Sequence, residues 1–112
     1  RDALHSSDVV DLLYRQGKRL FDKTKPSIIG EVFSIGGGYK NTISLLELCK
    51  KLDLKPKFST WRPADQKVFY ADIAKAKKVL GWEPKISVDE GLAELVDWTR
   101  HALKKTGKQY QF

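Results

Sequence analysis

Apolar side chains recur at intervals of three and four residues in four parts of the chain, which is the spacing of an amphipathic helix. This pattern predicts helices over about residues 8–22, 44–53, 73–80 and 88–104. Gly17 interrupts the first of them, where glycine costs about 1 kcal/mol relative to alanine. In the last one the predicted buried stripe consists of Val88, Leu92, Leu95, Val96, Thr99 and Leu103.

Capping signals mark the ends of these predicted helices. Residues 44–47 and 87–90 each begin with serine and end with glutamate, the pattern of a capping box. Asp72 precedes the third helix and is expected to cap it, and Gly81 follows that helix where left-handed backbone often ends one. For the first helix, residues 6–8 offer a serine or an aspartate as the cap.

Two short runs rich in β-branched and aromatic residues, 31–35 and 57–61, predict strands. The first run ends at the glycines 36–38, a loop that can adopt positive φ or admit a ligand close to the backbone. Helices mixed with a few short strands, without a repeat, a low-complexity block or a linker, indicate an α/β fold.

The length of 112 residues suits one domain with a modest core, and a hydrophobic content of 41% argues against disorder. No apolar run is long enough to span a bilayer, so no membrane association is expected. The single cysteine, Cys49, cannot form an internal disulfide, which favours a cytoplasmic location over secretion. Because the chain opens on Arg1 without a methionine, we expect it to be part of a longer protein.

The formal net charge of +7 makes a nucleic-acid or polyanion-binding module an alternative to consider. The basic residues are spread over every segment, however, and the sequence contains no signature of a DNA- or RNA-binding module. A positive charge suits a site for a small dianionic ligand as well, so we expect no nucleic-acid partner. A steep dependence of binding on salt would instead favour the polyanion alternative.

Residues 61–72 contain side chains suited to holding a phosphorylated ligand. Arg62 offers five donors in a planar fork that matches a phosphate or diphosphate, and Pro63 biases Arg62 toward extended backbone. Asp65 can orient this fork or accept hydrogen bonds from the hydroxyl groups of a ribose or sugar. Phe69 can cover the face of a base or sugar. Taken alone, the stretch also fits an exposed turn with an Arg–Asp surface pair.

Other motifs are less informative. The glycine loop fails the G-x-G-x-x-G pattern because Asn41 stands at the third glycine position. Tyr14 and Lys18 have the Tyr-x-x-x-Lys spacing of a catalytic pair, but Gly17 interrupts the helix before the lysine, and we interpret the match as coincidental. No group of cysteine, histidine and carboxylate residues has metal-ligand spacing, so no metal site is predicted.

Four stretches form a recognisable series when they are taken in order. They are Arg1-Asp2-Ala3-Leu4-His5-Ser6-Ser7-Asp8-Val9; Phe33-Ser34-Ile35-Gly36-Gly37-Gly38; Arg62-Pro63-Ala64-Asp65 followed by Ala71-Asp72-Ile73 and Lys75-Ala76; and Leu80-Gly81-Trp82 with Pro84, Glu90-Gly91-Leu92 and Trp98. Together they resemble the C-terminal part of extended short-chain dehydrogenase/reductases that act on nucleotide sugars. Ser34 departs from the family pattern, in which asparagine is usual.

The resemblance implies the last strand–helix unit of an NAD-binding Rossmann fold, followed by a small mixed α/β substrate lobe. We expect residues 1–112 to form one C-terminal substrate-binding fragment, in which residues 1–43 adjoin the Rossmann domain and residues 44–112 form the lobe. The resemblance further implies an NAD-dependent nucleotide-sugar epimerase. NAD and the catalytic tyrosine and lysine would be held upstream of Arg1, so the fragment alone is expected to contain no catalytic residue and to be inactive.

The resemblance also suggests a substrate. Residues 41–48 and 65–72 resemble family members that epimerise C-2 of a CDP-linked sugar by transient oxidation, with 4-epimerases and dehydratases of the family as alternatives. By its place in the family motifs, Arg62 would contact the diphosphate of the substrate and Asp65 its ribose. Arg1 matches another substrate-contacting arginine. Phe69 stands where tyrosine is frequent, so a hydrogen bond made there by relatives would be lost.

The family pattern has a consequence for assembly. The predicted strand 31–35 would normally complete the NAD-binding sheet, and without its neighbours it would present an unpaired apolar edge. Such an edge is a template for self-association. We therefore expect a homo-oligomer, with a strand-exchanged dimer as one form that the fragment can take.

Overall fold

The computed structural model describes residues 1–106 and builds them from four helices and one short turn. The elements are α1 (Ser6–Phe21), a 3₁₀ turn (Tyr39–Asn41), α2 (Leu45–Lys51), α3 (Ala74–Leu80) and α4 (Val88–Thr106). Four helices were expected, and all four are present within a few residues of their predicted limits. No helix in this part of the chain is long and apolar enough to cross a membrane.

Both predicted capping boxes are confirmed. At α2, Ser44 Oγ accepts from the backbone N–H of Glu47 at 3.1 Å, and Glu47 Oε2 accepts from the Ser44 N–H at 2.8 Å. At α4, Ser87 Oγ accepts from the Glu90 N–H at 3.3 Å, and Glu90 Oε2 accepts from the Ser87 N–H at 2.9 Å. Each box satisfies two N–H groups that a helix start otherwise leaves without an acceptor.

The limits of α3 are confirmed at one end and shifted at the other. Gly81 has φ 64° and ψ 26°, the left-handed conformation predicted for it, and donates to Lys77 O at 3.1 Å. The residue at the N-cap is Ile73 rather than the predicted Asp72. The Asp72 carboxylate still accepts from the Ala74 N–H at 2.9 Å. It therefore satisfies a donor in the first turn of α3, although it stands one residue before the N-cap.

The predicted cap of α1 is wrong. His5 occupies the N-cap, and its Nδ1 accepts from the Ser7 N–H at 3.2 Å. Asp8 is buried instead, and its two carboxylate oxygens accept from the backbone N–H groups of Lys85 at 3.0 Å and Ile86 at 3.1 Å. This carboxylate therefore joins α1 to the loop before α4, because a buried charge needs hydrogen-bond partners of this kind.

The two predicted strands do not form ladders in residues 1–106, where the one β interaction is an isolated antiparallel bridge between Asp2 and Thr42. A strand exists only beside a partner strand, and the described chain supplies none for residues 31–35 or 57–61. Val32, in the middle of the first run, is 80% exposed. The structure of residues 1–106 therefore does not confirm the α/β prediction, and strand exchange stays a prediction.

The core lies between α1 and α3, the pair of helices that pack together most closely. Trp82 has no exposed surface, and its Nε1–H donates to Asp8 O at 2.9 Å. The buried residues around Trp82 are Leu12, Ile28, Ala76 and Leu80, with Leu4, Phe33, Ile73 and Val79 partly buried against them.

The stripe on α4 is less buried than predicted. Among residues 88–105 no side chain is fully buried, and Leu95 is 55% exposed, so its assignment to a buried stripe is wrong. On α2, Leu45 is exposed whereas Leu48 is partly buried. The apolar faces of these two helices border a groove of about 490 Å³ rather than a closed core.

The α4 capping box makes the stability of the protein depend on pH. The side-chain hydrogen bond from Ser87, followed by the backbone one, lowers the pKa of Glu90 below its ordinary value. Since the folded pKa is the lower one, the stabilisation is complete above the ordinary pKa of 4.5 and is lost as pH falls through the lowered value. We expect Glu90→Gln to reduce stability at neutral pH and to have little effect near about pH 2. Urea unfolding at both pH values measures this difference, and a difference that persists unchanged in acid would contradict the explanation.

Candidate functional site

Residues 62–65 form a turn that holds two of the predicted site residues at the surface. The Asp65 N–H donates to Arg62 O at 3.4 Å, and Ala64 has a φ of 58°, in the left-handed region. Every residue from 53 to 70 is exposed. The turn therefore presents its polar side chains to solvent, where a ligand can reach them.

Arg1 reaches this turn from the other end of the chain. Its Nη2 donates to Asp65 Oδ1 at 3.0 Å and to Gln66 O at 3.1 Å, and its Nη1 donates to Gln66 Oε1 at 3.4 Å. The structure thus brings together two predicted site residues that are 64 positions apart. The sequence suggested that Asp65 could orient Arg62, but the arginine that Asp65 contacts is Arg1.

Arg62 keeps its donors available. Within residues 1–106 its guanidinium has no hydrogen-bond or ion-pair partner, and its side chain is exposed. In the neighbouring ion pair the positive charge of Arg1 and the negative charge of Asp65 balance each other. Arg62 is therefore an uncompensated cation at this turn, with a planar fork that suits a phosphate.

Phe69 is 47% exposed, and it lies on the same surface segment as the turn. No hydrogen bond, ion pair or ring contact in residues 1–106 joins it to Arg1, Arg62 or Asp65. Its neighbour Tyr70 packs edge to face against Tyr39, with ring centroids 5.6 Å apart. The Phe69 ring is therefore accessible, but the structure does not bring it into the Arg1–Asp65 cluster.

The sequence analysis missed the role of Asp2. Its Oδ2 accepts from the backbone N–H groups of Gly38 at 3.0 Å and Ala71 at 3.1 Å. A side chain at Gly36 would place its Cβ 2.3 Å from the same oxygen, so only glycine leaves room for this carboxylate. Asp2 stands inside the first family motif, but nothing in its sequence neighbours indicates partners 36 and 69 positions away.

The glycine loop is filled by the protein itself. The Gly38 N–H already donates to Asp2, and a Cβ at Gly37 would lie 1.9 Å from Ala3 O. Gly36, Gly37 and Gly38 are all buried. A loop that cradles a diphosphate needs open space and free N–H groups, so these glycines do not fit the pyrophosphate of NAD.

The other residues considered in the sequence analysis do not form a second catalytic or metal site within residues 1–106. Lys18 Nζ lies 4.8 Å from the centroid of the Tyr14 ring, so the two share a helix face as their spacing requires. The amine stands over the ring, which is the geometry of a cation–π contact. Residues 1–106 contain no group of three histidine, cysteine or carboxylate side chains that could hold a metal ion.

Comparison with protein families identifies the chain. A model of the GDP-mannose 4,6 dehydratase family matches residues 32–95, which is more than half of the sequence and includes the turn at 62–65. The chain belongs to the NAD-dependent nucleotide-sugar epimerase/dehydratase family. This assignment confirms the resemblance drawn from the four motifs.

Curated members of this epimerase/dehydratase family show what the chain is similar to. It is 38% identical over 105 residues to CDP-paratose 2-epimerase of Salmonella typhi, covering 88% of this chain and 30% of that enzyme. It is 40% identical over 80 residues to UDP-glucuronate 4-epimerase of Thermodesulfobacterium geofontis, covering 66% of this chain and 24% of the relative. With UDP-glucose 4-epimerase 1 of Oryza sativa subsp. japonica the identity is 34% over 106 residues, or 88% of this chain and 28% of that enzyme.

The chain thus spans 24–30% of the length of these family members. No solved structure matches it significantly. The family is therefore established by sequence, and the chemistry of the whole enzyme must be proposed from the part of the site that this chain contributes.

Proposed function

We propose that this chain is the substrate-binding part of an NAD-dependent epimerase that acts on a CDP-linked sugar. The observation that carries the proposal is the turn at 62–65, where Arg62 has no partner among residues 1–106 while Arg1 donates to Asp65 and Gln66. The similarity to CDP-paratose 2-epimerase supports a cytidine nucleotide and 2-epimerisation.

In this proposal each side chain has a distinct part in holding the substrate. Arg62 donates to the diphosphate, and each charge-assisted hydrogen bond of this kind contributes about 1.5–3 kcal/mol. Asp65 has an oxygen left to accept from a ribose hydroxyl, since within residues 1–106 its side chain bonds Arg1 through Oδ1 alone. Arg1 fixes the carboxylate and adds a second cation, and Phe69 offers an accessible ring to the base or sugar.

Hydride transfer is not assigned to any residue of this chain. We propose that NAD and the catalytic tyrosine and lysine are held elsewhere in the full-length protein, because the glycine loop here is filled by Asp2 and Ala3. The isolated chain is then inactive. A 4-epimerase or a dehydratase is the alternative within the family, in line with relatives named UDP-glucuronate 4-epimerase and dTDP-glucose 4,6-dehydratase. A cytoplasmic homo-oligomer stays a prediction.

Arg62→Ala in the full-length protein is expected to weaken binding of CDP and of its sugar conjugate at least tenfold. The reason is the loss of the unpaired guanidinium from the diphosphate, and tenfold corresponds to about 1.4 kcal/mol. Isothermal titration calorimetry measures the affinity directly. An unchanged dissociation constant would exclude Arg62 as the diphosphate ligand.

A matched variant separates a specific contact from the general positive charge. Arg100→Ala removes an exposed arginine from α4, outside the turn at 62–65, and should leave CDP affinity within about twofold, because an exposed charge that does not contact the ligand is largely screened by salt. Titration with UDP and dTDP in parallel tests the nucleotide. Preference for either over CDP would favour the 4-epimerase or dehydratase alternative.

A further inference from the structure

Asp2 connects three segments that are distant in the sequence. Its Oδ2 accepts from Gly38 in the glycine loop and from Ala71 at the end of the exposed segment 53–70. Asp2 also stands opposite Thr42 in the isolated bridge, whose hydrogen bonds are made by the flanking residues. One carboxylate oxygen thereby connects the N-terminal segment to the glycine loop and to the residue that follows the exposed segment 53–70.

We infer that Asp2 is a positioning residue for the nucleotide-sugar site, acting through the segment 62–71. The inference rests on the proposed function and adds a residue to it. In this inference Asp2 does not touch the substrate. It sets where the turn at 62–65 returns to the core beside Arg1, whose own backbone exchanges hydrogen bonds of 3.0 and 2.9 Å with Ile43.

The reason is that the exposed segment has few other anchors. Residues 53–70 are exposed throughout, and Ala71 is the first buried residue after them. The Arg1–Asp65 pair is itself half-exposed, and ion pairs of this kind contribute at most about 1 kcal/mol. That pair cannot order the segment by itself. Its two partners are held in register because the Arg1 backbone exchanges two hydrogen bonds with Ile43, and the carboxylate of the adjacent Asp2 accepts from the Ala71 N–H.

The Asp2 carboxylate has so little space around it that a side chain at residue 36 would disturb its contact with Ala71. A Cβ at Gly36 would lie 2.3 Å from Asp2 Oδ2 and 2.6 Å from the Ala71 Cβ. A methyl group there would push the carboxylate and Ala71 apart without removing any charge. Gly36→Ala therefore disturbs the same connection by an independent route and serves as a second variant.

Asp8 provides the matched control. Like Asp2, it is a carboxylate that accepts two backbone N–H groups, although Asp8 is buried and Asp2 only partly so. Its donors belong to Lys85 and Ile86, away from the segment 62–71 in the sequence. If Asp2 mattered only for folding, Asp2→Asn and Asp8→Asn would behave alike. A positioning role predicts that the two variants differ in ligand affinity after both have been shown to be folded.

The experiment compares wild type, Asp2→Asn, Gly36→Ala and Asp8→Asn of the full-length protein, at a temperature below every melting transition. Calorimetry measures CDP affinity, and hydrogen exchange measures protection of the amides of Gly38 and residues 62–71. We expect at least fivefold weaker CDP binding and faster exchange in Asp2→Asn and Gly36→Ala. For Asp8→Asn we expect a lower melting temperature with CDP affinity within twofold of wild type.

Three outcomes would overturn the inference. CDP affinity within twofold of wild type in both Asp2→Asn and Gly36→Ala would limit Asp2 to a structural role. An equal loss of affinity in Asp8→Asn would do the same, since any destabilisation would then suffice. If wild type binds no CDP, UDP or dTDP, the proposed function fails, and the positioning role fails with it.

Discussion

Trp82→Ala is expected to lower the free energy of unfolding by about 3–5 kcal/mol, because it empties the centre of the core. Trp82 has no exposed surface and packs with Leu12, Ala76 and Leu80. Alanine would leave a cavity and would also remove the indole N–H that Asp8 O accepts at 2.9 Å. Since small domains have about 5–15 kcal/mol in total, this loss is a large fraction of the stability of the protein. Urea unfolding followed by far-UV circular dichroism measures the change.

Trp98→Ala is the control for this experiment. Trp98 lies on α4 and is 67% exposed, so its removal should change stability by no more than about 0.5 kcal/mol. Trp82→Phe keeps most of the buried ring but removes the indole N–H that donates to Asp8 O, and an intermediate loss of about 1–3 kcal/mol is expected. Equal effects at Trp82 and Trp98 would show that the described core does not hold the protein together.

The parts of the fold that were predictable from the sequence depend on signals a few residues long. A serine and a glutamate three positions apart were enough to predict the starts of α2 and α4, and both boxes have the expected hydrogen bonds. Gly81 was identified as the end of α3 because left-handed backbone favours glycine. Local chemistry determines these features, so they can be predicted without knowing the tertiary structure.

The errors arise where partners lie far away along the chain. Asp8 is of a residue type that often caps helices, but its carboxylate accepts from N–H groups 77 and 78 positions further on. His5 occupies the N-cap instead. The run at 31–35 has strand propensity, yet a ladder requires a neighbour that residues 1–106 do not contain. β-propensity is expressed only when such a neighbour is present.

The same distinction applies to the candidate site. The type of chemistry at Arg62 and Asp65 was suggested by the turn sequence and the family motif, and the structure places both at an exposed turn. The contact of Asp65 with Arg1, rather than Arg62, joins the two ends of the site and had no local signal. The role of Asp2 beside it became visible only from three-dimensional contacts.

Gly37→Ala tests how closely the N-terminal segment must pack for that site to exist. A Cβ at residue 37 would lie 1.9 Å from Ala3 O and 2.8 Å from Asn41 Cβ, and neither the Ala3 carbonyl nor the Ala3–Asn41 hydrogen bond can yield without backbone movement. We expect a loss of about 2–3 kcal/mol in unfolding free energy, near the upper end for overpacking.

Gly17→Ala also replaces a glycine with alanine, but it is expected to raise the free energy of unfolding rather than lower it. No atom lies within 4 Å of a Cβ at Gly17, which is inside α1, so alanine should stabilise the protein by about 1 kcal/mol.

Ala3 follows Asp2, so the movement that relieves the clash at Gly37 should also displace Arg1 and weaken CDP binding. Denaturation and calorimetry on both variants test this coupling. If Gly37→Ala stabilises the protein, or if it binds CDP with full affinity, the site does not depend on the packing of residues 1–3.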